Sequence, residues 1–257
     1  MLSNVTKVFF EEEKNILFLV SFTDSLLNVF KMILSSFMTV LRKREDNARK
    51  WILFLVAIFC LNGVATNGAR ICEFMFLRLQ YKITTVNFGN LKTVYFLSSA
   101  ITQLTIVPLL ANKFKLYDTS ILLLAFLSAI PGWAMESFLD QTWFLYFTRL
   151  ICYPLWANLY STTRSAMSKL MKPNEVAKSF SVLAVSEACL ALIFKPLYGI
   201  LYRETVEIFP GTWNLVSAGI LLIACGLTTF VHFGSKSDVI QVSVDTENVN
   251  QQNMELS

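Results

Sequence analysis

The sequence predicts an all-α membrane protein with six transmembrane helices. First, 54% of the 257 residues are apolar and only 16% are charged, a composition too hydrophobic for a soluble domain. Second, the chain contains a series of apolar stretches of about 20 residues, the length that crosses a hydrocarbon core of about 30 Å. Third, lysine and arginine concentrate in alternate loops, which is typical of a polytopic membrane protein.

The positions of the basic residues predict which ends of the spans face the cytoplasm. A basic cluster at residues 42–50 directly precedes the first span and marks its cytoplasmic flank. The loops at 112–118 and 165–179 are then cytoplasmic and rich in lysine, whereas the bases of the outer loops, such as Arg70, are partly offset by acids such as Glu73. The predicted spans cover residues 51–69, 87–110, 119–138, 142–164, 180–202 and 213–233.

Two polar regions flank this six-helix domain of residues 51–233. Residues 1–50 are predicted to form a cytoplasmic linker with an amphipathic helix over 24–41 that lies along the membrane surface. A span over 15–41 is the alternative, but it would place Asp24 and Lys31 in lipid at a cost of about 2.5–3.5 kcal/mol each. Residues 234–257 are predicted to be a disordered cytoplasmic tail, because they are polar and poor in aromatic residues.

Ionisable residues inside predicted spans are the main candidates for a functional site, because each is costly in lipid and tends to face protein or water. Arg149 and Lys195 both lie about seven residues below the outer face on this topology, and two cations at one depth suit an anionic solute. The alternative is that both reach the outer headgroups or pair with acids elsewhere. The four ionisable residues counted in this way are Lys92, Arg149, Glu187 and Lys195.

A second candidate pair lies at the cytoplasmic ends of the fourth and fifth spans. Arg164 closes the fourth span, and Glu187 lies about seven residues inside the fifth, so the two side chains are able to meet across neighbouring helices. Such a pair is either a gate that breaks during transport or a structural tie. Prolines that interrupt spans mark bends or cavities, and here they are Pro131, Pro154 and Pro196.

Enzymatic, metal-binding and nucleic-acid-binding roles have little support. The five cysteines lack the spacing of metal ligands and are predicted to be reduced packing residues. The single histidine, His232, has no Ser, Cys or acid at a recognisable motif spacing. We therefore expect no enzymatic activity, no cofactor, no metal site and no nucleic-acid partner.

An ordered set of residues between 164 and 219 resembles solute carrier family 46, the branch of the major facilitator superfamily that includes the proton-coupled folate transporter. The basic cluster at 42–50 resembles that family's central cytoplasmic linker. The residues of the set are Arg164, Ser168-Lys169-Leu170, Pro173, Glu175, Phe180-Ser181, Glu187-Ala188, Pro196-Leu197-Tyr198, Phe209-Pro210-Gly211 and Ser217-Ala218-Gly219.

The resemblance implies the C-terminal six-helix half of a twelve-helix carrier, whose N-terminal half is missing from this chain. It implies transport of folates or other small organic anions across the plasma membrane, often coupled to protons, with Arg164 in the substrate and proton pathway. Two departures count against folate and against coupling. Lys195 stands where relatives usually have a small residue, and the first span lacks the histidine of the folate carrier.

Two functional hypotheses follow from this resemblance. The first is a transporter half that acts with an N-terminal half. The second is a truncated, non-transporting membrane protein that binds or regulates an intact carrier. A transcript that reads upstream into six more hydrophobic spans favours the first hypothesis, and a stop just ahead of Met1 favours the second.

Overall fold

The computed structural model describes residues 48–138, 141–171 and 173–255, in which every regular element is a helix. The predicted amphipathic helix over 24–41 lies outside these residues. The elements, in chain order, are α1 (Ala48–Gln80), α2 (Thr85–Ile101), π-helical segments Thr102–Ile106 and Leu109–Lys113, α3 (Asp118–Phe138), α4 (Thr142–Phe147), π-helical segment Thr148–Cys152, α5 (Tyr153–Ala157), α6 (Leu159–Lys169), α7 (Pro173–Thr205) and α8 (Thr212–Glu255).

Five helical stretches have the length and hydropathy needed to cross a bilayer, so the chain has the architecture of a multi-pass membrane protein. The predicted fourth span, 142–164, is divided among α4, a π-helical segment, α5 and α6, and is not one of the five. Six crossings therefore stay a prediction. The five stretches are Arg49–Gln80, Thr85–Lys113, Asp118–Phe138, Glu175–Thr205 and Thr212–Gly234.

Helix α1 is longer than the sequence predicts, and this corrects the first loop. The predicted span ends at residue 69, but the helix continues to Gln80. Its 33 residues extend for about 50 Å at 1.5 Å per residue, well beyond a hydrocarbon core of about 30 Å. Arg70 and Glu73, predicted in an outer loop, therefore lie within a helix.

The fourth predicted span is irregular around Pro154. Proline has no N–H to donate to the carbonyl four residues before it, so a regular α-helix is interrupted there. The chain responds with the π-helical segment Thr148–Cys152, in which the Tyr153 N–H donates to the carbonyl of Thr148. Such π-helical turns are frequent at functional sites. Pro131 and Pro196, in contrast, lie inside the continuous helices α3 and α7.

Helices α1, α3 and α8 form the centre of the bundle. Helix α1 packs against both α7 and α8, and α3 packs against α8. The contact between α1 and α7 is especially close at Gly68, where a Cβ atom would lie 2.3 Å from the ring of Tyr198. Helix α2 is peripheral in this chain, because Leu91 is its only buried residue.

Helix α8 continues to Glu255, through the segment for which composition predicts disorder. The assignment of residues 234–257 as a separate cytoplasmic tail stays a prediction.

Candidate functional site

A cavity of about 960 Å³, lined by both polar and apolar side chains, lies in the bundle. Its walls come from α1, α2, the π-helical segment Thr102–Ile106, α3, the irregular stretch between residues 149 and 161, and the start of α8. Helix α7 does not contribute a described lining residue. Five charged side chains line the cavity, and they are Arg70, Glu73, Lys92, Glu136 and Arg149.

Four of these side chains form a connected ion cluster, defined as Glu73, Lys92, Glu136 and Arg149. Glu73 bridges both cations, because its Oε2 lies 2.6 Å from Lys92 Nζ and its Oε1 lies 3.0 Å from Arg149 Nη2. Arg149 Nη2 also lies 3.4 Å from Glu136 Oε2. The cluster thus joins α1, α2, α3 and the π-helical segment.

Local structure holds Arg149 and Glu136 together. The Thr148 hydroxyl donates to Glu136 Oε1 at 2.6 Å. The Arg149 guanidinium lies 4.7 Å from the ring centre of Tyr153, a cation–π arrangement. The approach of α3 depends on Gly132, because a Cβ atom there would lie 2.9 Å from Cys152 and Tyr153.

The cluster is buried and has no net charge, since two carboxylates offset two cations. Only 8% of the Arg149 side chain and 3% of the Glu136 side chain are exposed. Arg70 makes no ion pair within the described residues and is exposed at the edge of the cavity. The five charged lining groups therefore sum to +1. A cavity with this excess charge suits a monoanion.

An aromatic wall adjoins the ion cluster. The rings of Trp133 and Trp156 lie 5.4 Å apart in an edge-to-face arrangement, and those of Trp133 and Trp213 lie 6.1 Å apart. Trp133 also lies 6.2 Å from Tyr153, the residue beneath Arg149. Charged groups and indole rings are therefore neighbours in one cavity.

The structure brings together two of the sequence-predicted site residues, Lys92 and Arg149, on the single carboxylate of Glu73. Lys195 is exposed on α7 and is not among the lining residues of the cavity. It is thus not joined to Arg149 at a shared site in this structure. The functional roles of these residues stay predictions.

The predicted pairing of Arg164 with Glu187 is present, but it is loose. Arg164 Nη2 lies 3.9 Å from Glu187 Oε2, and the two side chains are 37% and 34% exposed. The guanidinium also lies 5.7 Å from the ring centre of Phe59 on α1. This pair is separate from the described lining of the cavity.

We expect Glu187→Gln to lower the free energy of unfolding by less than about 1 kcal/mol, because partly exposed ion pairs contribute little. Chemical unfolding of the purified chain in detergent measures this, with Glu204→Gln, in the exposed pair with Arg203, as a matched control. A loss several times larger for Glu187→Gln than for the control would show that the pair is a major structural tie.

Sequence reasoning missed Glu73, Glu136 and Arg70. Glu136 lies inside the predicted third span, five residues after Pro131. An ionisable residue inside a span is costly in lipid, and this argument, which selects Arg149, also selects Glu136. Arg70 and Glu73 lie beyond residue 69, where the predicted first span ends, so they are not counted as ionisable residues inside a span.

No group of three or more metal-ligating His, Cys, Asp or Glu side chains occurs in the described part of the chain.

Comparisons with known proteins give relatives of one family. The chain is 25% identical over 205 residues, 76% of its length, to "Probable peptidoglycan muropeptide transporter SLC46" of Drosophila melanogaster. It is 31% identical over 108 residues, 42% of its length, to "Solute carrier family 46 member 2" of Canis lupus familiaris and of Mus musculus. No protein-family model matches the sequence.

These alignments cover only part of the relatives, 39% of the fly protein and 22% of each mammalian protein. The structure has apolar helices long enough to cross a membrane. The relatives are named as a transporter and as solute carriers, so both observations indicate a membrane protein. Over part of its length the chain is similar to members of solute carrier family 46, and its apolar helices are those of a multi-pass membrane protein.

Proposed function

We propose that this chain is the C-terminal six-helix half of a secondary carrier, which moves a small organic anion across the plasma membrane together with an N-terminal six-helix half. The proposal includes proton coupling. Relatives named as a muropeptide transporter and as solute carriers support it. The chain spans about two-fifths of the fly relative's length. The muropeptide in that relative's name is one candidate solute, and a folate-like anion is another.

The observation that carries the proposal is the buried ion cluster inside the bundle. Removing charges from water costs several kcal/mol per ion, and the cost is only partly recovered by pairing. Ionisable groups at membrane depth accordingly tend to mark solute or proton pathways. Here the ions line a cavity large enough for a small solute, whereas a purely structural tie would need no such space.

Glu73 is the residue through which anion and proton binding are coupled in this proposal. It faces Lys92 from α2 and Arg149 from the π-helical segment, with Arg70 on its own helix. Glu136 contacts the same guanidinium nitrogen of Arg149 as Glu73 does. A proton on Glu73 releases both cations from their shared carboxylate. A solute carboxylate then takes the place of Glu73 on Arg149, whose guanidinium is suited to bind two oxygens.

The balance of charge in the cavity explains why the proton and the anion are transported together. With Glu73 ionised, the lining groups sum to +1, and a proton on Glu73 raises the sum to +2. One bound monoanion returns it to +1. Because charge imbalance is costly in a cavity of low dielectric constant, each ligand favours the binding of the other.

The other predicted residues have supporting roles in this proposal. Arg164 and Glu187 form a gate away from the cavity, and a loose pair suits a contact that breaks and reforms. Lys195, exposed on α7, faces the N-terminal half in the complete carrier.

Uptake of a radiolabelled organic anion at several pH values tests the proposal in cells that express the complete carrier. We expect Glu73→Gln to flatten the pH dependence of uptake, because glutamine resembles the protonated carboxyl group and does not titrate. We expect Arg149→Ala to weaken solute affinity by tenfold or more, since a charge-assisted hydrogen bond contributes about 1.5–3 kcal/mol.

Glu204→Gln is the matched control, because it removes an exposed carboxylate that lies outside the cavity. If Glu73→Gln keeps the same pH profile as Glu204→Gln, Glu73 is not the coupling group. Lys195→Ala tests the remaining predicted cation in the same assay.

A further inference from the structure

The π-helical turn before Pro154 leaves the main-chain carbonyl of Arg149 without a donor from its own helix. In an α-helix this carbonyl would accept from the N–H of Tyr153, four residues later, but that N–H donates to Thr148. In the π-helical register it would accept from residue 154, five residues later, and proline has no N–H. Arg149 is only 7% exposed. A buried carbonyl without a donor is costly, so another group must supply one.

Ser98 on α2 supplies this donor. Its hydroxyl donates to the Arg149 carbonyl, with 3.0 Å between the two oxygen atoms. The same hydroxyl also lies 3.0 Å from the carbonyl of Tyr95, three residues earlier on α2. Ser98 therefore has an acceptor on its own helix, as serines in helices often do, whereas neither helical register gives the Arg149 carbonyl a donor. The bond between the two residues is thus needed by the turn and not by Ser98.

The register of this turn determines where the Arg149 guanidinium lies. A π-helical turn holds one residue more than an α-helical turn, so a change of register rotates Arg149 about the helix axis. In the observed register Arg149 Nη2 lies 3.0 Å from Glu73, and the guanidinium lies 4.7 Å from the ring centre of Tyr153. Helix α2 acts on Arg149 at two points, because Lys92 shares Glu73 with its side chain and Ser98 binds its carbonyl.

We infer that Ser98 is a positioning residue, whose hydroxyl replaces the N–H that Pro154 lacks and holds the π-helical turn so that Arg149 faces the cavity. This inference rests on the proposed function, in which Arg149 binds the solute anion. Ser98 itself is not among the lining residues of the cavity, so it acts on the solute only through Arg149. Solute affinity therefore depends on a main-chain hydrogen bond that a side chain of another helix supplies.

Hydrogen–deuterium exchange of the purified full chain in detergent tests whether Ser98 holds the turn. We expect Ser98→Ala to speed exchange of the amides at residues 149–153 by about two- to tenfold, which corresponds to the net contribution of one hydrogen bond. Ser98→Thr keeps the hydroxyl and exchanges as the wild type does. Ser128→Ala is the matched control, because the Ser128 hydroxyl donates to the carbonyl of Ala125, three residues earlier on its own helix, and Ser128 lies outside the cavity lining.

Pro154→Ala gives a sharper test, because it restores a main-chain N–H at the position from which the π-helical register reaches the Arg149 carbonyl. We expect Ser98→Ala to have no further effect on exchange when it is added to Pro154→Ala. A loss of packing at residue 98 would instead be the same in both backgrounds. The comparison therefore separates the hydrogen bond from packing.

Uptake kinetics test whether the turn positions Arg149. The probe is a radiolabelled muropeptide, the solute in the fly relative's name, supplied to cells that express the complete carrier. We expect Ser98→Ala to raise KM by about two- to tenfold with Vmax nearly unchanged, because a displaced Arg149 binds the anion less tightly. A general defect of folding or expression lowers Vmax instead. Ser128→Ala changes neither constant.

Three results would each overturn the inference. They are exchange in Ser98→Ala that matches Ser128→Ala, an effect of Ser98→Ala that is equally large in the Pro154→Ala background, and a KM in Ser98→Ala that equals the wild-type KM. Circular dichroism and gel filtration check that each variant is folded. If the wild-type carrier takes up no muropeptide, transport of that solute is contradicted, and the exchange experiment decides whether Ser98 holds the turn.

Discussion

Replacing Arg149 by methionine is expected to lower the free energy of unfolding by about 3–5 kcal/mol, the cost of removing one partner from a buried ion pair. Arg149 contacts both Glu73 and Glu136, so its loss leaves the cluster with two carboxylates and one lysine. Glu136 then has no ion-pair partner among the described residues, because the remaining lysine pairs with Glu73, and its side chain is only 3% exposed. Chemical unfolding of the purified chain in detergent, followed by circular dichroism, measures the loss.

Two further variants separate the charge effect from the loss of a long side chain. Lys195→Met removes an exposed cation of α7, and we expect a change within about 0.5 kcal/mol, as at most surface positions. Adding Glu136→Gln to Arg149→Met restores part of the stability, because it removes the unpaired carboxylate. Equal free energies of unfolding for Arg149→Met and Lys195→Met would mean that the ion cluster does not stabilise the fold.

Replacing Gly68 by alanine is expected to destabilise the chain by about 1–3 kcal/mol, the usual cost of overpacking a core. The new Cβ atom would lie 2.3 Å from the Tyr198 ring, so α1 and α7 must separate or the ring must turn. The ring is held in place, because its hydroxyl lies 3.0 Å from Ser217 Oγ and the Tyr198 carbonyl accepts a hydrogen bond from Cys72.

Gly219→Ala is the matched control for Gly68→Ala. Both glycines lie inside long helices, but a Cβ atom at Gly219 meets nothing within 4 Å. Alanine has the higher helix propensity, by about 1 kcal/mol, so we expect Gly219→Ala to be neutral or stabilising in the same unfolding assay. A similar loss of stability in both variants would show that helix contact at Gly68 is not the cause.

Much of the fold is readable from the sequence, because membrane helices must satisfy their backbone internally and cover it with apolar side chains. The predicted stretches 87–110, 119–138, 180–202 and 213–233 each fall within a described helical stretch of membrane-crossing length. The sequence places the end of α1 at residue 69 and not at Gln80, because Arg70 and Glu73 are charged, as loop residues often are. Helical periodicity does not report that a distant residue, Arg149, pairs with that glutamate.

The candidate site was predictable in part for the same reason. The cost of burying ions in lipid selects Lys92 and Arg149, which both lie in the ion cluster, and the same argument applied to every span also selects Glu136. Matching depth, in contrast, suggested a shared location for Arg149 and Lys195. Depth along a helix does not determine which face a side chain occupies, and Lys195 is exposed on α7 outside the cavity lining.

The sparse burial of α2 has a consequence for how the bundle is held together. Leu91 is its only buried residue, so the helix gains little from apolar packing within this chain. Its described side-chain links to the rest of the bundle include the Lys92–Glu73 ion pair and the bond from Ser98 to the Arg149 carbonyl. Electrostatic attraction therefore helps to hold α2 against the rest of the bundle, and we expect this contribution to fall when Glu73 loses its charge.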